Sequence, residues 1–231
     1  MGLLPSGVDV RSVLYAYLAL AFVPMMTVFH HRALRAKHGD FRGAILYFAA
    51  FFVLFLAVPF AIILAGAPRP GDALALVGVA AGHVETGLLL TAIGVPLALA
   101  AGFIGSRDPA LREQYPFSKE ACSKTRRFVI YEGAYLVLYY VPWEFLFRGI
   151  LFLPLVPLIG LVPALAVQTI ASTLYHFDHP ASEIFSAAVA GFVFGLITYA
   201  TGSIFYTVAI HAMVGIATDT FICLRRRRAG A

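Results

Sequence analysis

Glu144 and Arg148 lie four residues apart inside a long apolar run, so on a helix they share one face. The guanidinium can neutralise the carboxylate and keep it ionised. A charge at bilayer depth is expensive, which leaves two readings: a structural ion pair that locks two helices, or a reacting group. Tyr140 falls on the same stripe one turn earlier, and Pro142 between them removes a helical hydrogen bond and opens a kink. Two histidines stand in separate apolar runs, His176 closing one and His211 midway along another. A lone buried histidine is more often a hydrogen-bonded core residue. Two of them beside one carboxylate can activate a water and stabilise an oxyanion. The same donors could hold zinc, and His176-Phe177-Asp178-His179 keeps that reading open, although neither HExxH nor GxSxG occurs. The remaining ionisable groups at the apolar runs are His83, Glu85, Glu132, Asp178, His179, Glu183 and Asp219. Asp178, His179, Glu183 and Asp219 read as span-end residues satisfied by water or headgroups, and Glu132, shortly after Arg127, as interfacial.

The elements that position these groups must be membrane helices. Of 231 residues, 61% are hydrophobic and 13% charged, where soluble domains run near 45–50% and about 25%. Those proportions exclude a water-soluble fold, a disordered tail and a nucleic-acid module. The fold class is all-α, a polytopic transmembrane bundle of about seven (six to eight) spans near 12–29, 44–65, 74–104, 128–152, 161–175, 182–200 and 204–224. The third run, interrupted by His83 and Glu85, is long enough for a tilted span plus a half-helix. Continuous apolarity without alternation excludes barrel strands. The whole chain, 1–231, reads as one membrane domain.

The net charge of +5 comes from clusters between the spans: Arg32, Arg35, Lys37 and Arg42; then Arg107, Arg112, Lys119, Lys124, Arg126 and Arg127; then Arg225 to Arg228. With seven spans all three fall on the cytoplasmic side, which puts the N-terminus outside and the C-terminus inside. The chain is expected to be a multi-pass integral membrane protein of a prokaryotic inner membrane, with the lipid bilayer as a partner and no nucleic acid. The first span lacks a basic leader and reads as a retained anchor. Met1-Gly2 with Ser6 formally fits a myristoylation pattern. Cys122 and Cys223 would both be cytoplasmic and imply no disulfide framework. Gly78/Gly82 and Gly191/Gly195 are GxxxG pairs suited to close helix packing.

The order of the polar groups carries a resemblance. WEFLFRG at 143–149, STLYHF at 172–177 and TGSIFYTVAIHA at 201–212 resemble the CAAX-protease and bacteriocin-processing family, which includes the type II CAAX prenyl endopeptidases. The family's pattern is EExxxR, then FxxxH, then HxxxN, each on a different transmembrane helix. The resemblance covers 128–224 and implies an intramembrane glutamic endopeptidase acting on a membrane-associated or prenylated peptide or protein, with no cofactor and no bound metal. Glu144 matches the second glutamate and Arg148 the arginine. His176 matches the histidine that helps to activate the attacking water, and His211 the histidine of the oxyanion site. Tyr140 and Trp143 support them.

Three positions depart from the pattern. Trp143 stands at the first glutamate, the usual general base; Ser172 replaces the aromatic of FxxxH; Gly215 stands at the asparagine of HxxxN. Loss of one oxyanion donor costs about 10²–10³ in rate, and loss of a general base about 10²–10⁴. Glu144 is one candidate to replace the base. Glu132 is on the face of Trp143 but about 16 Å further along the axis, while Glu85 and Asp219 could approach from other helices. Depth poses a second difficulty: Glu144 lies about 24 Å in from the cytoplasmic end of its helix, whereas His176 closes the next one. They meet only if the fourth helix starts lower, tilts strongly, or the fifth runs on past His176. Besides the endopeptidase, two other functions fit the residues: a catalytically impaired relative acting as a membrane binding or immunity protein, and a proton-coupled carrier using Glu85, Glu144 and the histidines. The oligomeric state is left open.

Overall fold

The computed structural model describes residues 9–229; the Met1-Gly2/Ser6 pattern lies outside them. The described residues form helices and no strand. In order they are α1 (Val10–Met26), α2 (His31–His38), α3 (Asp40–Gly66), α4 (Pro70–Leu76), α5 (Val84–Gly105), α6 (Pro109–Gln114), α7 (Thr125–Ile159), α8 (Leu161–Leu174), α9 (Ala181–Thr201) and α10 (Phe205–Ala229). Five of them (α3, α5, α7, α9 and α10) are long and apolar enough to cross a membrane, six spans in all if α1 and α2, bent by 47° at a short break, act as one. The chain is an all-α integral membrane protein. The expected third run, 74–104, holds one span, α5; its first residues only end the short α4, which starts at Pro70, and a loop separates the two.

Small residues set the helix spacing. On α5, Gly87, Gly94 and Gly102 face Tyr206, Ile210 and Ala217 of α10, leaving no room for a Cβ at any of the three. On α9, Gly191 and Gly195 rest on Thr169 and Leu165 of α8, so that GxxxG pair packs helices as expected. The pair Gly78/Gly82 does not. Both lie outside helices with φ of +75° and +58°, a backbone region that only glycine enters without cost.

The core is aromatic. Phe48 of α3 stacks on Tyr135 of α7 with ring centroids 4.6 Å apart, and Phe51 stacks on Trp143 at 5.9 Å. These contacts fix the rotation of α7. That helix contains π turns at Leu136–Tyr140 and Phe145–Ile150, which flank Pro142. Each widens the turn and re-aims the side chains beyond it.

The three basic clusters gather at one end of the bundle. Asp40, at the start of α3, accepts hydrogen bonds from Ser118 and from the Glu120 amide. Arg226 of α10 donates to the Arg112 carbonyl. Cys122 and Cys223 form a disulfide across 101 residues. Sequence spacing gave no sign of that pairing, because the 119–123 turn reaches the end of α10 only through the tertiary fold.

Candidate active site

Tyr140, Trp143, Glu144 and Arg148 project from the π-widened stretch of α7; His176 follows α8, and His211 sits on α10. The fold brings them together. Glu144 is completely buried. Its Oε1 accepts a 2.6 Å hydrogen bond from Nδ1 of His211, and its Oε2 lies 3.3 Å from Nε of Arg148. Arg148, itself 2% exposed, lays its guanidinium 5.4 Å over the ring of Phe194. The expected i,i+4 ion pair is present and bridges to a third helix through His211. The carboxylate fixes the orientation of the His211 ring.

His176 donates Nδ1–H to the Ser172 carbonyl at 2.8 Å. That bond sets the tautomer and leaves Nε2 with a free lone pair. Burial pushes the His176 imidazole down to about 4, a shift that nearby Glu183 partly opposes. The ring is therefore neutral at physiological pH. Trp143 stands between the two histidines, its ring centroid 5.0 Å from His176 and 6.0 Å from His211. The depth difficulty disappears for a geometric reason. The 14 residues of α8 rise about 21 Å, short of a hydrocarbon core of about 30 Å. The continuously helical part of α7, residues 125–150, is much longer, up to about 39 Å at the α-helical rise. His176 thus ends a helix that stops part-way, and α7 starts well below it.

Two adjoining cavities share these groups. The larger, about 190 Å³, is lined by Tyr140, Trp143, His176, His211 and Gly215 together with Tyr115, Glu183 and Asp219. The smaller, about 40 Å³, lies among Trp143, Arg148, Ser172, His176, Phe194 and His211 and has room for a water. Gly215 has a specific neighbour: a Cβ built there would overlap the hydroxyl of Tyr140. The Tyr140 ring packs 4.9 Å from that of His211. A phenolic O–H thus occupies the space in which a side chain at 215 would begin.

Several expected placements change. Asp219, read as a span-end residue, is 1% exposed and lines the larger cavity; Glu132 is 7% exposed rather than interfacial. All four carboxylate oxygens of this pair lack hydrogen bonds to other described residues. Glu183 also faces the cavity and accepts a short hydrogen bond from Tyr115, whose hydroxyl lies 3.1 Å from Nδ1 of His179. Burial first, and then Glu183, push the Tyr115 phenol well above its ordinary range. His83 and Glu85 are exposed at the start of α5, away from both cavities. A signal for Asp219 was present: His211, Gly215 and Asp219 form a four-residue-spaced stripe along α10.

Comparison with known families agrees with the ordered motifs. Residues 128–217 match the family described as Type II CAAX prenyl endopeptidase Rce1-like. No curated protein and no solved structure matches the chain. The matched segment carries Tyr140, Trp143, Glu144, Arg148, His176, His211 and Gly215. Tyr115 and Asp219 are contributed from outside it.

Proposed function

We propose that this protein is an intramembrane endopeptidase that hydrolyses a peptide bond of a membrane-associated or prenylated substrate whose cleavage site reaches the basic, cytoplasmic end of the bundle. The observation that carries the reading is the convergence of His176, His211 and Tyr140 on one cavity inside the family-matched segment. Neutral His176 takes a proton from water through Nε2 as the water oxygen attacks the scissile carbonyl carbon. The oxyanion accepts hydrogen bonds from the Tyr140 O–H and from the outward-facing edge of the His211 ring. The His176 imidazolium then gives its proton to the leaving amine as the C–N bond breaks. Glu144 acts through His211 and not on the water: one oxygen holds His211 and the other faces Arg148. Tyr140 replaces the donor that Gly215 lacks. The chemistry assigned to these side chains routes no step through a metal or cofactor.

Purified protein should cleave candidate CAAX-type membrane peptides, and His176→Ala and Glu144→Ala should each abolish the cleavage. Activity that persists in both variants removes this mechanism. A second reading, the catalytically impaired relative, is favoured by one observation: Trp143, 1% exposed, fills the place of the family's first glutamate. It expects no hydrolysis by the wild-type chain.

A further inference from the structure

A second cluster of ligating groups lies beside the loop that carries His176, and most of it lies outside the family-matched segment. His30 and His31 stand at the bend between α1 and α2. Asp178 stands in the loop between α8 and α9, 148 residues from His30. The Asp178 Oδ2 lies 3.1 Å from Nε2 of His30 and 3.5 Å from Nε2 of His31. Ligands about 2.0–2.1 Å from a tetrahedral zinc ion stand about 3.3 Å from one another, since a tetrahedron's edge is about 1.6 times its centre-to-vertex length. The two distances bracket that spacing, and all three ligand atoms lie within 4.8 Å of one another.

His31 supplies an independent observation. It is 3% exposed, yet neither of its ring nitrogens hydrogen-bonds to another described residue. Buried polar atoms are ordinarily partnered, and an orphaned imidazole aimed at a carboxylate asks for a ligand. We propose that His30, His31 and Asp178 bind a divalent cation of the imidazole-preferring class, zinc foremost, which ties the α1–α2 bend to the loop after His176. Two nitrogens and one oxygen suit zinc over calcium or magnesium, which take oxygen ligands. Water completes the fourth position.

The surroundings fit this assignment. His179 presents Nε2 to the other Asp178 oxygen at 3.6 Å, and its Nδ1 lies 2.9 Å from Glu183. This relay orients the ligating carboxylate, as outer-shell groups do at metal sites. Arg32 competes: one of its terminal nitrogens is 3.5 Å from Oδ2 and donates to the Asp178 carbonyl. Its side chain is 60% exposed and free to swing into solvent. The neighbouring trio of His176, His179 and Glu183 is the poorer site. Tyr115 already engages His179 and Glu183, and Ser172 holds Nδ1 of His176. The proposal does not depend on peptidase activity.

The test uses the full chain in detergent, freed of any affinity tag and stripped of metal with chelator. Cobalt(II) is titrated in, followed by zinc in competition with a chromophoric chelator. One equivalent of cobalt should give the intense visible bands of a tetrahedral nitrogen–oxygen site, and zinc should displace it. His30→Ala and Asp178→Asn should each weaken zinc binding by more than about 100-fold, beyond the range of outer-shell changes. Glu183→Gln and Glu144→Ala should still bind one equivalent. The wild-type titration decides even where a variant fails to fold. Absence of a stoichiometric tetrahedral spectrum, full binding by His30→Ala, or loss confined to Glu183→Gln overturns the assignment.

Discussion

The most exposed part of the proposed mechanism is the phenol at Tyr140. Tyr140→Phe removes one O–H and little else. The ring keeps its contacts with Tyr135, Tyr139 and His211, at centroid distances of 4.4, 6.0 and 4.9 Å. The unfolding temperature should therefore stay close to that of the wild type. Loss of one donor to a developing oxyanion costs about 10²–10³ in kcat, or about 2.7–4 kcal/mol of barrier. Gly215→Ala probes the same donor from the opposite helix. Its Cβ would overlap the hydroxyl and lie 2.6 Å from the ring carbon that bears it, so the Tyr140 side chain must move. Overpacking of this kind costs about 1–3 kcal/mol of stability, and a displaced hydroxyl no longer meets the oxyanion. Both variants act on one donor, so their effects on kcat should not add: the double variant should be no slower than Tyr140→Phe alone. The assay is turnover of a quenched fluorescent membrane peptide in lipid vesicles, with thermal unfolding measured in parallel. A Tyr140→Phe protein within a few-fold of wild-type kcat, or strictly additive losses in the cycle, refutes Tyr140 as the donor.

Neutral His176, with its imidazole pushed down to about 4, should place the acid limb of kcat/KM near pH 4. A limb near 6.5, the ordinary histidine value, would remove His176 as the base. The same shift lowers stability as pH falls from about 6.5 to about 4, because the unfolded chain takes up a proton that the folded one refuses; thermal unfolding across that window checks the sign. Arg148→Met leaves the Glu144 carboxylate buried without its cation and should cost about 3–5 kcal/mol, partly recovered in Arg148→Met/Glu144→Gln; a wild-type unfolding temperature for Arg148→Met contradicts the buried pair. Trp143→Glu puts a carboxylate beside His176. It should raise the acid limb above pH 4 and increase kcat, at a stability cost of about 3–5 kcal/mol for the lost ring; an unchanged pH profile excludes position 143 from the base's surroundings.

The helical membrane fold was legible because its signal is compositional: five long apolar helices recur where continuous apolar runs stand in the sequence. The Glu144–Arg148 pair was legible because i,i+4 spacing on one helix is local. What could not be read depends on contacts between distant segments. The Cys122–Cys223 bond spans 101 residues. The depth of His176 depends on α8 stopping short, and a span-length rule places it at the membrane face instead. Asp219 and Glu132 look interfacial when each is judged by distance from a basic cluster, yet both are buried, and Leu111 and Tyr115 of the segment before α7 line the cavity that Asp219 faces.

The departures from the family pattern show the same limit most clearly. As a string, Trp143 and Gly215 are two independent losses, of a base and of an oxyanion donor, and together they argue for an inactive chain. In the fold they stand on helices that share a wall of one cavity, and only one of them leaves a gap in function. Gly215 vacates the space that the Tyr140 hydroxyl enters, so a donor missing from α10 is offered by α7. Trp143 has no such counterpart at its own position. Its ring is held by Phe51, Tyr139 and Tyr175; of the carboxylates that line the cavity with His176, Glu183 is engaged by Tyr115 and His179, and Asp219 is not hydrogen-bonded to another described residue. On the proposed mechanism the site can stabilise an oxyanion and is weakest at proton removal, which makes the protonation of His176 the step at which activity should be most sensitive to pH and to substitution at 143.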